Sequence, residues 1–553
     1  LGIAIFILGY IKYEGLIAWL QMQYSQDKIN QLKTEYLTLY TYKIFYYSLV
    51  SFWLLICVVL FLRWRKIETL ALKIYEYLLQ SKQIFSKFKY ELFSLTIFQK
   101  IILSIFFVSL ILIKLFFLRR YPFMYDEVFS YLHFVDKGFL TSALYYPGPN
   151  NHIFYSLLCV VSNFIFDDPV LIMRIPVLLV SVFTSLLYYA CIRRFYDFSI
   201  AFLSVVVFSF SYNVFIYSIH GRGYTILFFL FLVFIYSFWK LTDEGESKTI
   251  YRLFFLTSGV LGLYTIPTFI YAYIPVVTYG FIYFVHKLQW QNLKKFIFLQ
   301  VLLGGIVLIL YGPILIINGM DKVTGNNWVA PLDTTYFWHS LIGYLKEIFN
   351  YLWNIEKYGA ILSCIIFLSG IGVLCKMKVK SFALYLALIV LSPFIIICFQ
   401  KVLPPPRIWD YLLMIFSFLF SLVINYAFHF LSLERIRRSI IVAFFIIIMV
   451  FHINYLQNEV KSGFLYFSSL EGFLEELFIA KPGSVYVKDD TFKLYLEYTA
   501  HEKEIPLLIY SEVNSENIDI VMLNPDTEFP TKLNRNHYQE YVNNAILKSY
   551  KKK

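Results

Sequence analysis

Charge is what this sequence has least of. Only 15% of its 553 residues are Asp, Glu, Lys or Arg, while 59% are hydrophobic. A soluble chain is about a quarter charged and under about half apolar. No water-facing surface can be built from this inventory, and intrinsic disorder is excluded with it. Cysteine is sparse too. Cys57, Cys159, Cys191, Cys364, Cys375 and Cys398 fall in or beside apolar runs and form no C-x-x-C pair, so neither a zinc site nor a disulfide framework is suggested. There is no P-loop and no G-x-S-x-G. The nearest Gly-rich pattern, His220–Gly223, follows no strand, so no dinucleotide site is implied. These absences argue against ATP-driven transport. Internal repeats and low-complexity segments are also missing.

What is present is apolar and aromatic: 58 Phe, 47 Tyr and 9 Trp. The apolar runs are unbroken for about 15 to 22 residues, the length of helical spans. A barrel would show alternating strands of about ten residues instead. The reading is a polytopic α-helical membrane protein with about 13 transmembrane helices, at roughly 3–20, 44–62, 101–118, 170–190, 199–217, 223–240, 251–266, 268–286, 296–317, 359–375, 382–399, 409–430 and 439–453. Lys12 and Glu14 interrupt the first, which reads as an uncleaved span rather than a signal peptide. The pair around Pro267 reads as one broken helix or two short ones.

The net charge of +12 would suggest nucleic acid in a soluble protein. Here its distribution points to membrane lipid as the partner and not to nucleic acid. Arg63, Arg65 and Lys66; Arg193 and Arg194; Lys287, Lys294 and Lys295; Lys376, Lys378 and Lys380; and Arg435, Arg437 and Arg438 all fall on one side of alternating spans. By the positive-inside rule that side is cytoplasmic. Loops 119–169, 218–222, 318–358 and 400–408, and the tail after residue 453, are then external. Arg119 and Arg120 are basic yet external, and read as interfacial snorkelling or as phosphate ligands. A bacterial inner membrane is the expected location, with the external side periplasmic.

Three regions follow. Residues 1–100 hold N-terminal helices and a basic amphipathic stretch, 66–98, where Leu70, Ile74, Tyr77, Leu78 and Phe85 suit a membrane-surface helix. Residues 101–453 hold the main bundle. Residues 454–553 form an extracytoplasmic tail whose composition turns polar near Lys481-Pro482-Gly483. Strand-like runs at Val485–Val487, Leu507–Tyr510 and Ile518–Leu523, with helical patterns between and after them, suggest a small α/β domain. Such a domain has a marginal core, so it is expected to lean on the external loops or the membrane.

Four external segments carry the chemistry. Asp126-Glu127 directly follows a span exit. A carboxylate there can accept a proton from an attacking hydroxyl or amine; it also suits a helix start. Pro147-Gly148-Pro149-Asn150-Asn151-His152 fixes a turn beside an apolar segment; His152 there is a site residue or a cap. In His220-Gly221-Arg222-Gly223-Tyr224 an arginine between glycines offers a forked donor to phosphate, or marks a tight inter-helix turn. In Leu403-Pro404-Pro405-Pro406-Arg407-Ile408-Trp409-Asp410-Tyr411 the prolines hold Arg407 where a lipid phosphate would lie, or Trp409 and Tyr411 serve as an aromatic-belt anchor. Interface decorations would scatter over both faces, yet all four segments are external.

These residues resemble a family. Asp126-Glu127 after an early span, the Pro/Asn-His segment, Arg174-Ile175-Pro176 opening the next span and the short Arg-Gly-Tyr loop are similar to the GT-C membrane glycosyltransferases, within the protein O-mannosyltransferase and aminoarabinose-transferase-like group. The similarity covers residues 101–240, with the Pro-Arg-aromatic element at 404–411 added. The resemblance implies a GT-C-like fold and an external site. It implies an inverting transfer from a polyprenyl-phosphate sugar donor to a protein, lipid or glycan acceptor. Asp126 is then the base or acceptor-orienting acid and Glu127 the second motif acid. Arg222 and Arg407 would hold the donor phosphate, while Asn151, His152, His220 and Tyr224 would line the site. Many relatives have a further acid after the loop arginine. Tyr224-Thr225-Ile226 stands there instead, which puts a bound Mg or Mn in doubt; no metal ligand and no cofactor is assigned. The first 100 residues and the tail are left for membrane-protein partners. Two other classes compete: a lipid or glycan transporter or flippase, for which Lys114 is the clearest intramembrane charge, and a non-catalytic scaffold of an envelope or secretion complex.

Overall fold

In hydrocarbon every backbone N–H and C=O has to be satisfied within its own segment, which makes the helix the local solution for a long apolar run. The computed structural model follows this rule. It describes residues 2–23, 29, 33, 38–62, 82, 86, 94–243, 248–324, 330–430, 434–512, 518–543 and 547–553. Nine helices among the described residues are long and apolar enough to cross a membrane: Ile97–Leu118, Pro169–Arg193, Tyr224–Thr242, Pro267–His286, Trp290–Asn318, Gly359–Lys376, Lys380–Gln400, Leu412–His429 and Ser439–Lys461. Helices also occupy the other four expected spans, at Gly2–Gln23, Leu39–Leu62, Phe198–Phe210 and Lys248–Thr265. By length and hydropathy the count among the described residues is nine rather than about 13.

Two of the differences have a local cause. The run at 199–217 breaks at Ser211, which leads into a second short helix, Tyr212–Ile216. Lys248–Thr265 is diluted by Thr, Ser, Gly and Tyr. The pair around Pro267 is two helices, because Ile266 is extended (φ −145°) and Pro267 starts a new turn. The amphipathic stretch expected at 66–98 lies almost wholly outside the described residues, as do Arg63, Arg65 and Lys66 and the side chains of Arg435, Arg437 and Arg438.

The segment after Leu118 folds into short helices, Tyr125–Ser130, Gly138–Leu144 and Ile153–Asn163, with a π-helical turn at Tyr131–Val135. Asn318, at the end of Trp290–Asn318, pins this segment. It accepts from the Tyr146 amide at 2.8 Å and donates to the Leu144 carbonyl at 2.8 Å.

At the other end of the chain one helix, Glu434–Ile479, runs from the bundle to the tail. A five-stranded sheet follows, with order β2-β1-β3-β5-β4. Its strands are β1 Ser484–Val487, β2 Leu508–Tyr510, β3 Ile520–Leu523, β4 Tyr538–Asn543 and β5 Lys548–Lys552. β1 lies parallel to β2 and β3, while β5 is antiparallel to β3 and β4. The helix between β1 and β2, Asp490–Glu502, is capped by the Asp489 carboxylate. The helical pattern expected after β3 is corrected to a hairpin. Its strands are rich in Lys, Asn, Gln and Glu, and such polar strands lack the apolar alternation by which strands are read.

One face of the sheet domain has a small core of its own, with Tyr486, Ile518, Val521, Leu523, Leu533 and Tyr538; the other face is shared. Val485, Val487, Leu494, Tyr495, Ile520 and Met522 join one apolar cluster with Phe123, Val128, Tyr131, Tyr155 and Ile172 of the bundle side. A domain this small has little volume for a core, and it buries its second apolar face against the segment that carries Asp126 and Glu127.

Candidate active site

Glu127 is fully buried, and its partner is Arg174. Arg174 gives Nε to Oε1 at 2.8 Å and Nη2 to Oε2 at 2.6 Å, a bidentate pair. Its other three N–H groups go to the carbonyls of Leu118 (2.5 Å), Tyr121 (2.8 Å) and Pro122 (2.7 Å). All five guanidinium donors are therefore used. Glu127 also accepts from the Gly221 amide at 2.6 Å and from the Met124 amide at 3.0 Å. Burial pushes its carboxyl up, but Arg174, His220 and these hydrogen bonds outweigh burial and hold it below the usual carboxylate range. The approach to Gly221 requires glycine: an added Cβ would stand 2.7 Å from the Tyr155 hydroxyl and 2.9 Å from Glu127 Oε1.

Asp126 stands on the other side of the same helical turn and keeps a 35% exposed side chain, with its Oδ2 3.6 Å from Arg222 Nη2. Burial pushes this carboxyl up, while Arg222, His220 and Arg407 together hold it below its usual range. It is ionised and reachable. Arg222 is buried and bonds Asn150, through the side-chain oxygen and through the backbone carbonyl at 3.3 Å. His152 is buried beside it. The His152 Nδ1 accepts from the Gly223 amide at 2.8 Å, so the neutral ring carries its proton on Nε2. That N–H lies 3.4 Å from Arg222 Nη2, another group that only donates. Burial, then Arg222 and Arg407, push the imidazole well below its usual range, so it stays neutral.

The prolines at 404–406 hold Arg407 over the same space. Its guanidinium carbon is 6.0 Å from the Tyr224 ring centre. The aromatic-belt alternative for this segment is corrected. Trp409 is fully buried, donates to the Tyr344 hydroxyl at 2.8 Å and packs on Tyr271 and Phe394. The Tyr344 hydroxyl in turn bonds the Pro404 carbonyl. Trp409 thus locks the proline turn from within rather than floating in headgroups.

Of the residues singled out from sequence, Asp126, His152, Arg222, Tyr224 and Arg407 come together. Tyr224 packs edge-on against His152 at 5.1 Å. Asn151 is held apart from them: it donates to the carbonyls of Ser142 and Tyr145 and accepts from Ser156, which makes it a brace for its turn. His220 sits between the two carboxylates' surroundings, 3.6 Å from Glu127 Oε2, and burial lowers its pKa to about 4. Arg119 pairs with Asp168 at 2.8 Å and Arg120 lies over the Phe116 ring at 3.7 Å, so both are engaged at the surface.

Three partners escaped the sequence reading: Asn150 as the Arg222 ligand, Arg174 as the Glu127 pin, and Asp410. An arginine inside an apolar run was the one legible signal, since such a charge is costly unless paired. Asp410 is fully buried and accepts from Asn213 at 2.9 Å, and its Oδ2 has no partner among the described residues. Burial pushes this carboxyl well above its usual range, against the opposing pull of Asn213 and Arg407, and so favours the neutral acid. The ledger of charge is then simple. Glu127 and Arg174 cancel, burial favours the neutral forms of His152, His220 and Asp410, and the charged side chains left in this cluster among the described residues are Asp126, Arg222 and Arg407. Among the described residues this cluster carries one net positive charge.

A divalent cation does not fit this donor set. Both Glu127 oxygens are taken by Arg174 and two amides. Among the described residues no three His, Cys, Asp or Glu side chains gather as metal ligands.

The chain matches no family model and no curated protein in sequence. Its fold has relatives among solved structures. ArnT from Cupriavidus metallidurans in the apo state superposes with a TM-score of 0.56 at 12% identity, over 81% of this chain and 97% of that one. The same protein bound to undecaprenyl phosphate superposes with a TM-score of 0.52, at the same identity and coverage. At such low identity the likeness is one of fold. The helical membrane fold expected from the resemblance is the fold shared with these structures, and the small C-terminal α/β domain expected from the composition of the tail is present.

Proposed function

We propose that this chain is an inverting glycosyltransferase that moves a sugar from a polyprenyl-phosphate donor to an acceptor on the extracytoplasmic face of a bacterial inner membrane. The observation that carries this reading is the charge balance of the pocket. A sugar-linked lipid phosphate is a diester with one negative charge, which the one net positive charge of Asp126, Arg222 and Arg407 neutralises. When the acceptor attacks the anomeric carbon, the carbon–oxygen bond to phosphate breaks and its electron pair stays on the phosphate. The acceptor's proton passes to Asp126. The lipid phosphate gains a charge as the carboxylate loses one, so two arginines then face a dianion. The pocket stays balanced from substrate to product.

The same arrangement explains how an acid held ionised by arginines can act as a base. Before reaction the arginines weaken the basicity of Asp126. As charge grows on the leaving phosphate, it offsets their field, and the proton affinity of Asp126 rises when it is needed. The opposed donors of Arg222 and His152 suit the same ligand, because an anionic oxygen between them would accept from both. The bilayer orients the donor, which reduces the entropic barrier. Glu127 takes the role of a positioning residue that fixes the turn on which Asp126 is carried. The acceptor is a protein, lipid or glycan hydroxyl or amine.

The solved ArnT structure with undecaprenyl phosphate supports the donor class. A scaffold has no reason to gather these groups in one pocket. The test is direct. Purified protein in nanodiscs should bind undecaprenyl phosphate and release it from a sugar-linked donor, and the Asp126→Asn variant should still bind while release stops. Release by that variant at the wild-type rate would remove Asp126 from the reaction.

A further inference from the structure

The turn that carries the acidic pair is held from two directions. Arg174 takes the carbonyls of Leu118, Tyr121 and Pro122. The next carbonyl, Phe123, accepts instead from the Tyr495 hydroxyl at 2.6 Å, across 372 residues of chain. Tyr495 is buried on the helix Asp490–Glu502 of the sheet domain. Its neighbour one turn on, Tyr498, packs against the Phe123 ring at 5.6 Å and the Tyr131 ring at 6.3 Å. Farther along, His501 Nε2 stands 3.4 Å from Asp136 Oδ1. Behind this helix, Phe467 of the long helix Glu434–Ile479 supports Tyr495 at 5.8 Å.

We propose that the C-terminal sheet domain clamps the catalytic turn, with the Tyr495 hydroxyl as the positioning group that holds the Phe123 carbonyl and, through it, Asp126. Its consequence for turnover rests on the glycosyltransferase reading; its structural content does not. The geometry makes the clamp specific. Arg174 has no donor left for the Phe123 carbonyl. Without the phenol that buried acceptor has to move toward water or another donor. The shift would pass along three residues to Asp126, because the Met124 carbonyl closes the first turn by accepting from the Glu127 and Val128 amides. Arg407 comes from another segment and would not follow, while the loop of Arg222 feels the shift through the Gly221 amide on Glu127. The domain therefore sets the distance between the acid and its cations.

The test uses the full chain in nanodiscs. Tyr495→Phe removes one oxygen and keeps the ring. Hydrogen exchange of peptides spanning 121–128 and 219–223 should accelerate at least about tenfold while the melting temperature holds, and exchange as slow as in wild type would overturn the clamp. Turnover of a polyprenyl-phosphate sugar should fall about tenfold in kcat with KM for the donor unchanged. A purely structural contact would move neither exchange at that turn nor kcat alone. Should Tyr495→Phe fail to fold, Tyr498→Leu carries the same test: faster exchange confined to those peptides sustains the clamp, and exchange as in wild type overturns it. If wild type neither binds undecaprenyl phosphate nor releases it from a donor, the glycosyltransferase reading fails, and the exchange result still decides the clamp.

Discussion

Asp126 and Glu127 are neighbours in sequence and opposites in circumstance. Glu127 is sealed, with both oxygens committed to one arginine and two amides. Asp126 is one-third exposed and meets its arginine at 3.6 Å, too far for a strong hydrogen bond. The first arrangement fixes a backbone; the second leaves a carboxylate free to change partners. A helix turns by ~100° per residue, so two adjacent acids are forced to face different surroundings. Saturation is what a positioning group needs, and incomplete pairing is what a proton acceptor needs.

Substitutions should separate the two roles. Asp126→Asn is expected to reduce transfer by about 1,000-fold or more, within the range for loss of a positioned general base, with little change in melting temperature. Glu127→Gln should do the reverse, costing about 3–5 kcal/mol of stability because Arg174 is left as a buried, uncompensated charge. Chemical denaturation of the two variants in detergent checks both, and equal stabilities would erase the contrast. Arg174→Lys should destabilise nearly as much, because an ammonium has three donors where five are used. Arg407→Ala should weaken undecaprenyl phosphate binding about tenfold, the scale of one charge-assisted hydrogen bond, while leaving the fold intact. Unchanged affinity would take Arg407 out of the phosphate pocket.

The smallest expected effect is in pH dependence. Burial raises the Asp126 pKa, and Arg222, His220 and Arg407 more than reverse it, so the net shift is downward. The ion pair therefore contributes above the ordinary carboxylate pKa and is lost as pH falls through the lowered one. Activity should persist into the ordinary carboxylate range, and Arg222→Gln should move the acid limb upward. A limb at the same pH in both proteins would show that Arg222 does not govern this carboxyl.

Much of the fold was readable without coordinates. Apolar runs located the helices, because hydrocarbon admits few alternatives. The sheet was read in part: β1 and β3 are mostly apolar and buried, while β4, at the edge, and β5, between β3 and β4, are polar strands that gain their order from pairing. In the site, Asp126, His152, Arg222 and Arg407 were legible because charged and turn-forming residues are rare in this chain. Asn150 and Asn151 could not be told apart, since the same amide serves the pocket or braces a turn according to its direction. Trp409 looked like an interface residue and is buried, because a proline turn has to be anchored by something.

Composition and the spacing of apolar runs determined by themselves that this is a helical membrane protein with its unusual chemistry gathered in a few loops. Those are consequences of solvent and are written locally. Tertiary structure alone decided which of two adjacent acids is sealed, which carboxyl is neutral, and that a domain more than 300 residues away grips the turn between them. Each depends on what lies across the space from a side chain, and electrostatics and hydrogen bonding are set by distance in three dimensions rather than along the chain.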